Sequence, residues 1–275
     1  MKIAVQHNLV PGASLGERFE RAAGFGFEAV EITAWGFPDP IANHVDEIVA
    51  ASRASGLPVS TLCSMGGDDF VHPDPAERKK RLDGLVAYLE AAEAIGARGV
   101  VALPIRPPVR LPDLSPAHTE RDLITDIAVA QLTAALERTP DVKAAIFLEP
   151  LNRYEANYLR TVAHGAELAA KVGSPRVQVL ADVFHMNIEE ADMAATLRTH
   201  RESIGAVHLA DSNRLLPGHG HIEFVTLLEA LFEIGFDGYC ALECGVPGDP
   251  TETLPECAEY LKKRREIAAS NRANL

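Results

Sequence analysis

The sequence predicts an α/β protein in which strands and helices alternate and close into a parallel (β/α)8 barrel. Short apolar runs of strand length alternate with longer amphipathic runs along all 275 residues, which is typical of repeated βα units. Eight such units can be counted, and that number favours a closed barrel over an open doubly wound sheet. We therefore expect residues 1–275 to form a single barrel domain.

The eight predicted strands are short apolar runs bounded by turn residues. They cover residues 3–6, 29–32, 59–63, 99–103, 145–149, 177–182, 206–210 and 239–243. A helix is expected after each strand, because parallel neighbours in one sheet are joined by crossover connections. Gln6-His7-Asn8-Leu9 follows the first strand in place of a G-x-G-x-x-G fingerprint, so a nucleotide-binding open sheet loses its main support.

Local chemistry predicts where several helices begin and end. Asp74-Pro75 and Ser115-Pro116 each place an N-cap side chain before a proline suited to the first helical position. Glycine readily adopts the left-handed conformation that ends many helices. Three glycines stand where helices are expected to stop: Gly56, Gly173 and Gly205.

The composition argues against several kinds of partner. A formal net charge of -13 disfavours nucleic acid, whose binding relies on clustered Lys and Arg. No apolar run approaches the roughly 18 residues of a membrane span, and residues 1–5 enter strand-like sequence without a signal peptide. The four cysteines lack metal-finger spacing, which favours reduced thiols in the cytoplasm. A soluble protein that acts on a small molecule is expected.

Each of the last four predicted strands has, at or near its end, a residue of a type that often binds metal ions: Glu149, Asp182, His208 and Glu243. In a (β/α)8 barrel these strand ends meet at the rim where active sites form. Taken singly, each could be a solvated carboxylate or a structural histidine. Together, three carboxylates in one partly buried mouth would repel one another unless a cation relieved them. The pattern therefore predicts one divalent ion, and this oxygen-rich donor set suits Mn²⁺, Mg²⁺ or Co²⁺.

The segments that flank these ligands resemble a known family. They are residues 149–155 (Glu-Pro-Leu-Asn-Arg-Tyr-Glu), 184–190 (Phe-His-Met-Asn-Ile-Glu-Glu) and 210–214 (Ala-Asp-Ser-Asn-Arg). They resemble the metal-dependent, xylose isomerase-like family of sugar isomerases and epimerases, and within it the ketose 3-epimerases such as D-tagatose 3-epimerase. All three look closest to 5-keto-L-gluconate epimerase. The first half of the chain matches the family only loosely.

The resemblance implies an isomerase that inverts C3 of an unphosphorylated ketose, such as D-tagatose or D-fructose, or of a keto sugar acid such as 5-keto-L-gluconate. The metal is expected to be Mn²⁺, with Co²⁺ or Mg²⁺ as alternatives. It would polarise the carbonyl and stabilise the cis-enediolate formed when the proton leaves. Inversion needs a base on one face and an acid on the other. Glu149 and Glu243 would fill these two roles and also bind the metal.

The resemblance also implies that Glu155, His185 and Arg214 contact substrate oxygens. On the residues alone, Arg214 could instead pair with Asp211 on a solvated loop, and His185 could be a structural histidine. A homodimer or homotetramer is expected from the family.

A few other residues near the predicted rim are weaker candidates. His7, Trp35 and Cys63 follow or end the first three strands and could line a sugar pocket or simply pack there. His219 and His221 lie between glycines and could be mistaken for metal ligands, but the resemblance places the ion elsewhere.

Three alternative functions stay open at this point. An aldose-ketose isomerase such as hydroxypyruvate isomerase would use much the same metal and carboxylates. A metal-dependent apurinic endonuclease would need more histidine ligands and a basic surface. A non-catalytic sugar-binding barrel would be expected to lack one of the two glutamates.

Overall fold

A computed structural model describes residues 1–64, 69–105 and 110–273. Its strands form a closed parallel barrel in the order β1 to β8, and β8 pairs back onto β1. The predicted (β/α)8 barrel is therefore confirmed. The assignment of the whole chain to one domain stays a prediction.

The strands lie close to the predicted positions. They are β1 Lys2–Gln6, β2 Ala29–Thr33, β3 Val59–Cys63, β4 Gly99–Ala102, β5 Ala145–Leu148, β6 Val177–Asp182, β7 Ile204–Leu209 and β8 Tyr239–Leu242. The α-helices among the described residues are α1 Leu15–Gly24, α2 Val45–Ser55, α3 Pro75–Ile95, α4 Glu120–Arg138, α5 Val162–Val172, α6 Val183–Glu189, α7 Met193–Thr199, α8 Phe224–Glu233 and α9 Pro250–Ala273. None of these described helices is both long enough and apolar enough to cross a bilayer.

One predicted helix start is confirmed and the other is wrong. Asp74 caps α3, where its side chain accepts from the Ala76 N–H and Pro75 takes the first position. At Ser115-Pro116 no helix begins, because the Ser115 hydroxyl donates to the Asp113 carboxylate instead. Helix α4 starts later, where the side chains of residues 119 and 122 form a reciprocal capping box.

Two of the three predicted helix ends are confirmed and one is wrong. Gly56 and Gly173 adopt φ of 74° and 70° and cap α2 and α5. Gly205 is instead the second residue of β7. A β-carbon there would lie 2.4 Å from both Gln178 Oε1 and Phe147 Cε1. Glycine is therefore needed at this position for close packing inside the sheet, not for a helix cap.

The barrel interior is a layer of side chains directly below the C-terminal rim. Small and apolar side chains that meet there include Ala4, Ala29, Cys63, Val101, Phe147, Leu180, Ala206 and Ala241. Side chains two residues apart on a strand point to the same face. Residues 6, 31, 149, 182, 208 and 243 therefore point inward above this layer, and it forms the floor of the site.

Candidate metal and active site

The last four strands bring the four predicted ligands into one cluster. Asp182 ends β6 and is paired in register with His208 of β7. Glu149 and Glu243 follow β5 and β8 directly, and their backbone N–H groups donate to carbonyls of β4 and β7 at 3.3 and 3.2 Å. The hydrogen bonding of the barrel thus fixes the backbone of each ligand.

The ligand atoms of the cluster face one another at short range. One atom from each of Glu149, Asp182, His208 and Glu243 lies within 4.8 Å of all the others. His208 Nδ1 is 3.1 Å from Glu243 Oε2, 3.3 Å from Glu149 Oε1 and 3.7 Å from Asp182 Oδ2. The Glu243 side chain is 18% exposed, and the other three are buried.

This donor set fits a divalent ion. Two neighbouring ligands of an ion bound at about 2.1 Å lie roughly 3 to 3.4 Å apart, and the separations around His208 Nδ1 come close to that range. Three carboxylates and one imidazole suit Mn²⁺, Mg²⁺ or Co²⁺ better than a metal that prefers thiolates.

The charges around the cluster separate the pKa values of its two glutamates. Burial and the negative charge of Glu243 raise the pKa of Glu149 above its usual range. Burial alone would also raise the pKa of Glu243, but His208, the Arg214 guanidinium and the Gln6 amide lower it well below its usual range. One carboxyl group is thus held ionised while the other is more readily protonated, which is the arrangement that acid-base chemistry uses.

Arg214 reaches into the cluster from the loop after β7. Its Nη1 lies 2.8 Å from Asp182 Oδ2, its Nη2 lies 2.5 Å from Glu243 Oε2, and its guanidinium stacks 4.8 Å from the Phe184 ring centre. Its φ is 60°, a left-handed conformation that is uncommon outside glycine and often marks a functional site. The guanidinium therefore neutralises two of the ligand carboxylates.

Asp211 organises the loop that carries Arg214 and does not form an ion pair with it. The buried Asp211 carboxylate accepts from the backbone N–H groups of Ser212, Gly218 and Ile222 at 2.8, 2.9 and 3.1 Å. The alternative of a solvated pair between residues 211 and 214 is therefore wrong, because the two side chains have different partners.

Asn152 positions two of the predicted substrate contacts. His185 Nδ1 accepts from the Asn152 backbone N–H at 3.2 Å, so its proton lies on Nε2 and that nitrogen is a donor. The Asn152 side-chain amide lies 2.8 Å from His185 Nδ1 and donates to Glu155 Oε1 at 2.7 Å. His185 is buried and Glu155 is exposed. The structure thus places His185 and Glu155 beside one another on the rim.

Two functional candidates, Glu31 and Gln6, were missed by the sequence analysis. Glu31 is only 1% exposed, and its oxygens lie 3.0 and 3.2 Å from His208 Nε2. Gln6 Nε2 donates to Glu31 at 2.9 Å and to Glu243 at 3.2 Å, and the Thr61 hydroxyl donates to Glu31. A charged residue inside the apolar run Ala-Val-Glu-Ile-Thr of β2 is the signal that could have identified Glu31.

The weaker candidates lie in different places. His7 Nδ1 accepts from the Thr33 N–H at 3.2 Å, and its ring stacks on Phe37. Cys63 is buried in the layer below the cluster, where burial and the nearby Glu243 and Glu31 charges raise the pKa of its thiol.

Three more of these residues are exposed. Trp35 is 43% exposed. His219 and His221 lie on an exposed loop, and neither is among the four clustered ligands.

Several known proteins with similar sequences are carbohydrate epimerases. The chain is 32% identical over 273 residues to the 3-dehydro-D-guloside 4-epimerase of Escherichia coli K12, covering 95% of this chain and 99% of that protein. It is 30% identical over 217 residues to the L-ribulose 3-epimerase of Mesorhizobium japonicum, covering 77% and 69%. The predicted isomerase class is confirmed by these relatives.

Solved structures agree with the barrel. The apo crystal structure of 3-keto-D-glucoside 4-epimerase from E. coli matches with a TM-score of 0.83 at 28% identity, covering 96% of this chain and 99% of that one. D-Psicose 3-epimerase from Clostridium cellulolyticum H10 matches with a TM-score of 0.81 at 22% identity, covering 98% and 99%, which supports the fold alone. Residues 19–264 match the family described as "Xylose isomerase-like TIM barrel", and the chain belongs to that family.

Proposed function

We propose that this chain is a metal-dependent epimerase that inverts the carbon next to a sugar carbonyl, with C3 of an unphosphorylated ketose or keto sugar acid as the first candidate. The observation that carries the proposal is the convergence of Glu149, Asp182, His208 and Glu243 within 4.8 Å of one another. The polar groups of Arg214 and His185 at the same rim support it.

Glu149 and Glu243 are the two proton-transfer groups of this proposal. They follow strands β5 and β8, which are separated by β6 and β7, so they approach a sugar above the floor from two sides. One takes the proton from the carbon while the other returns a proton to the opposite face, which inverts the centre. In the metal-free chain the pKa of Glu243 lies below its usual range and that of Glu149 lies above it, so the two groups differ in how readily they take up a proton.

The remaining groups hold the substrate. His185 offers its Nε2–H to a sugar oxygen, and Arg214 offers positive charge beside the oxygen that becomes negative. Glu155 accepts from a hydroxyl, oriented by Asn152. A divalent ion, Mn²⁺ in our proposal, would be held by the four ligands and would supply the Lewis acidity that makes a proton next to a carbonyl removable.

A second candidate inverts C4 of a 3-keto glycoside. The observation that favours it is the 32% identity over 95% of this chain to the 3-dehydro-D-guloside 4-epimerase. Both candidates invert the carbon next to a carbonyl, so the same two glutamates serve either reaction. They differ in how the sugar lies over the site.

Deuterium incorporation tests the proposal and separates the candidates. The chain is incubated with Mn²⁺ in D₂O with D-tagatose, D-fructose, 5-keto-L-gluconate or a 3-keto glycoside, the metal is removed, and products are analysed by NMR. Deuterium at C3 of a ketose, or at C4 of 5-keto-L-gluconate, which is the carbon next to its C5 carbonyl, supports the first candidate when the corresponding epimer forms. Deuterium at C4 of the 3-keto glycoside with formation of its 4-epimer supports the second. Either signal should disappear with EDTA and in Glu243→Gln.

Two other outcomes would contradict the epimerase proposal. Exchange at C1 or C2 with aldose formation would indicate an aldose-ketose isomerase. No exchange with any of these sugars would leave only the metal site.

We also propose that the chain works in the cytoplasm as a homodimer or homotetramer. Its four cysteines are free, and Cys63, Cys240 and Cys257 are buried, as expected for a protein that needs no disulfide. Light scattering coupled to size-exclusion chromatography tests the subunit number.

A further inference from the structure

Glu31 is a charged residue enclosed by donors at the centre of the barrel. It lies in the middle of β2, where all five residues are buried. Its carboxylate faces His208 Nε2 and accepts from Gln6 Nε2 and from the Thr61 hydroxyl. A carboxylate removed from water is stable only with such partners, so its position is strongly determined.

The contact with His208 determines which imidazole nitrogen faces the cluster. A carboxylate can only accept a hydrogen bond. The Nε2–H of His208 therefore donates to Glu31, 3.0 Å away. Nδ1 is the nitrogen that faces Glu149, Asp182 and Glu243, and it is the one that would bind an ion.

Gln6 extends the same control to Glu243. A side-chain amide carries two N–H donors. The Gln6 amide donates one to Glu31 Oε1 at 2.9 Å and the other to Glu243 Oε1 at 3.2 Å. Glu243 Oε2 is thereby turned toward His208 Nδ1, 3.1 Å away. One buried carboxylate therefore positions two of the four ligands.

We propose that Glu31 is the positioning residue of the metal site, which holds His208 with Nδ1 toward the ligand cluster and, through Gln6, holds Glu243 in place. This inference rests on the proposed function, since it requires that the four ligands bind a divalent ion. Partners of this kind behind a metal ligand typically change metal affinity by 10- to 100-fold.

Metal affinity of Glu31→Gln tests the inference without relying on activity. Free Mn²⁺ is measured by electron paramagnetic resonance during titration of the metal-free chain, and the visible absorption of bound Co²⁺ reports ligand geometry. We expect Glu31→Gln to bind Mn²⁺ about 10- to 100-fold more weakly and to alter the Co²⁺ spectrum. Glu31→Asp should also bind more weakly, because its shorter side chain withdraws from His208, and it serves if Glu31→Gln does not fold.

Thr61→Val is the matched control. It removes a donor to the same carboxylate but leaves the His208 and Gln6 contacts, so Mn²⁺ affinity should fall less than threefold. Unchanged affinity in Glu31→Gln and Glu31→Asp, or an equal loss in Thr61→Val, would overturn the inference. If the unaltered chain binds no Mn²⁺, the proposed function fails as well, whereas tight wild-type binding with insensitive Glu31 variants refutes only the role of Glu31.

Discussion

Replacing Arg214 by methionine should destabilise the metal-free chain, because the guanidinium neutralises Asp182 and Glu243. Methionine keeps the apolar stem over the Phe184 ring but removes both ion pairs, at 2.8 and 2.5 Å. Breaking a buried pair costs about 3 to 5 kcal/mol. The Arg214 side chain is 30% exposed, so water screens part of that effect and we expect a loss of about 2 kcal/mol.

The loss is measured by urea and thermal unfolding in EDTA. It corresponds to a fall in Tm of roughly 3 to 4 °C for a domain of this size. With saturating Mn²⁺ the difference should shrink, because a bound cation neutralises the same oxygens. Arg198→Met is the control, since its pair with Glu233 lies on the surface and such pairs usually contribute less than about 1 kcal/mol. A loss below about 0.5 kcal/mol in EDTA, or an equal loss with and without Mn²⁺, would refute the reasoning.

Three further expectations concern the floor, the rim and acid stability. Gly205→Ala should cost about 1 to 3 kcal/mol in unfolding experiments by overpacking the floor, whereas Gly84→Ala, in an open helix interior, should stabilise by up to about 1 kcal/mol. Burial and a nearby arginine lower the pKa of His7 to about 4. The neutral imidazole therefore contributes up to about 3 kcal/mol to the free energy of unfolding above pH 6.5, and this contribution is lost as the pH falls toward 4. The free energy of unfolding should depend less steeply on pH across this range in His7→Asn. Asn152→Ala should lower the rate of exchange about 10-fold or more while Mn²⁺ affinity stays within twofold, because Asn152 contacts His185 and no clustered ligand; an equal loss of metal affinity would contradict this.

The ligand cluster could be predicted because residue type and strand position agree. Each of the four ligands stands at or just beyond the end of an apolar run, and parallel strand ends must meet at one rim. The small errors at strand ends did not matter. Glu149 and Glu243 lie one residue beyond their strands, yet their backbone N–H groups continue the hydrogen bonding of the sheet.

A charge inside an apolar run could have marked Glu31 as unusual, but its contact with His208 could not be predicted from the sequence. Glu31 and His208 are 177 positions apart, and their contact depends on register across the closed barrel. The pairing of β2 with β3 shifts between Val30 and Ile32, next to Glu31, and no local pattern announces such a shift. The prediction that Gly205 ends a helix was wrong for a related reason. A glycine required for close packing looks the same in sequence as one that ends a helix.

Asp182 links the ligand cluster to His185 through its two oxygens. Oδ1 accepts from the Phe184 and His185 backbone N–H groups and so caps helix α6, while Oδ2 faces Arg214 and the ligand cluster. The same carboxylate thus sets where helix α6, which carries His185, begins, and it faces the place where an ion would be held. Anyone who redesigns this enzyme for another sugar by moving the start of α6 should expect its metal preference to change at the same time.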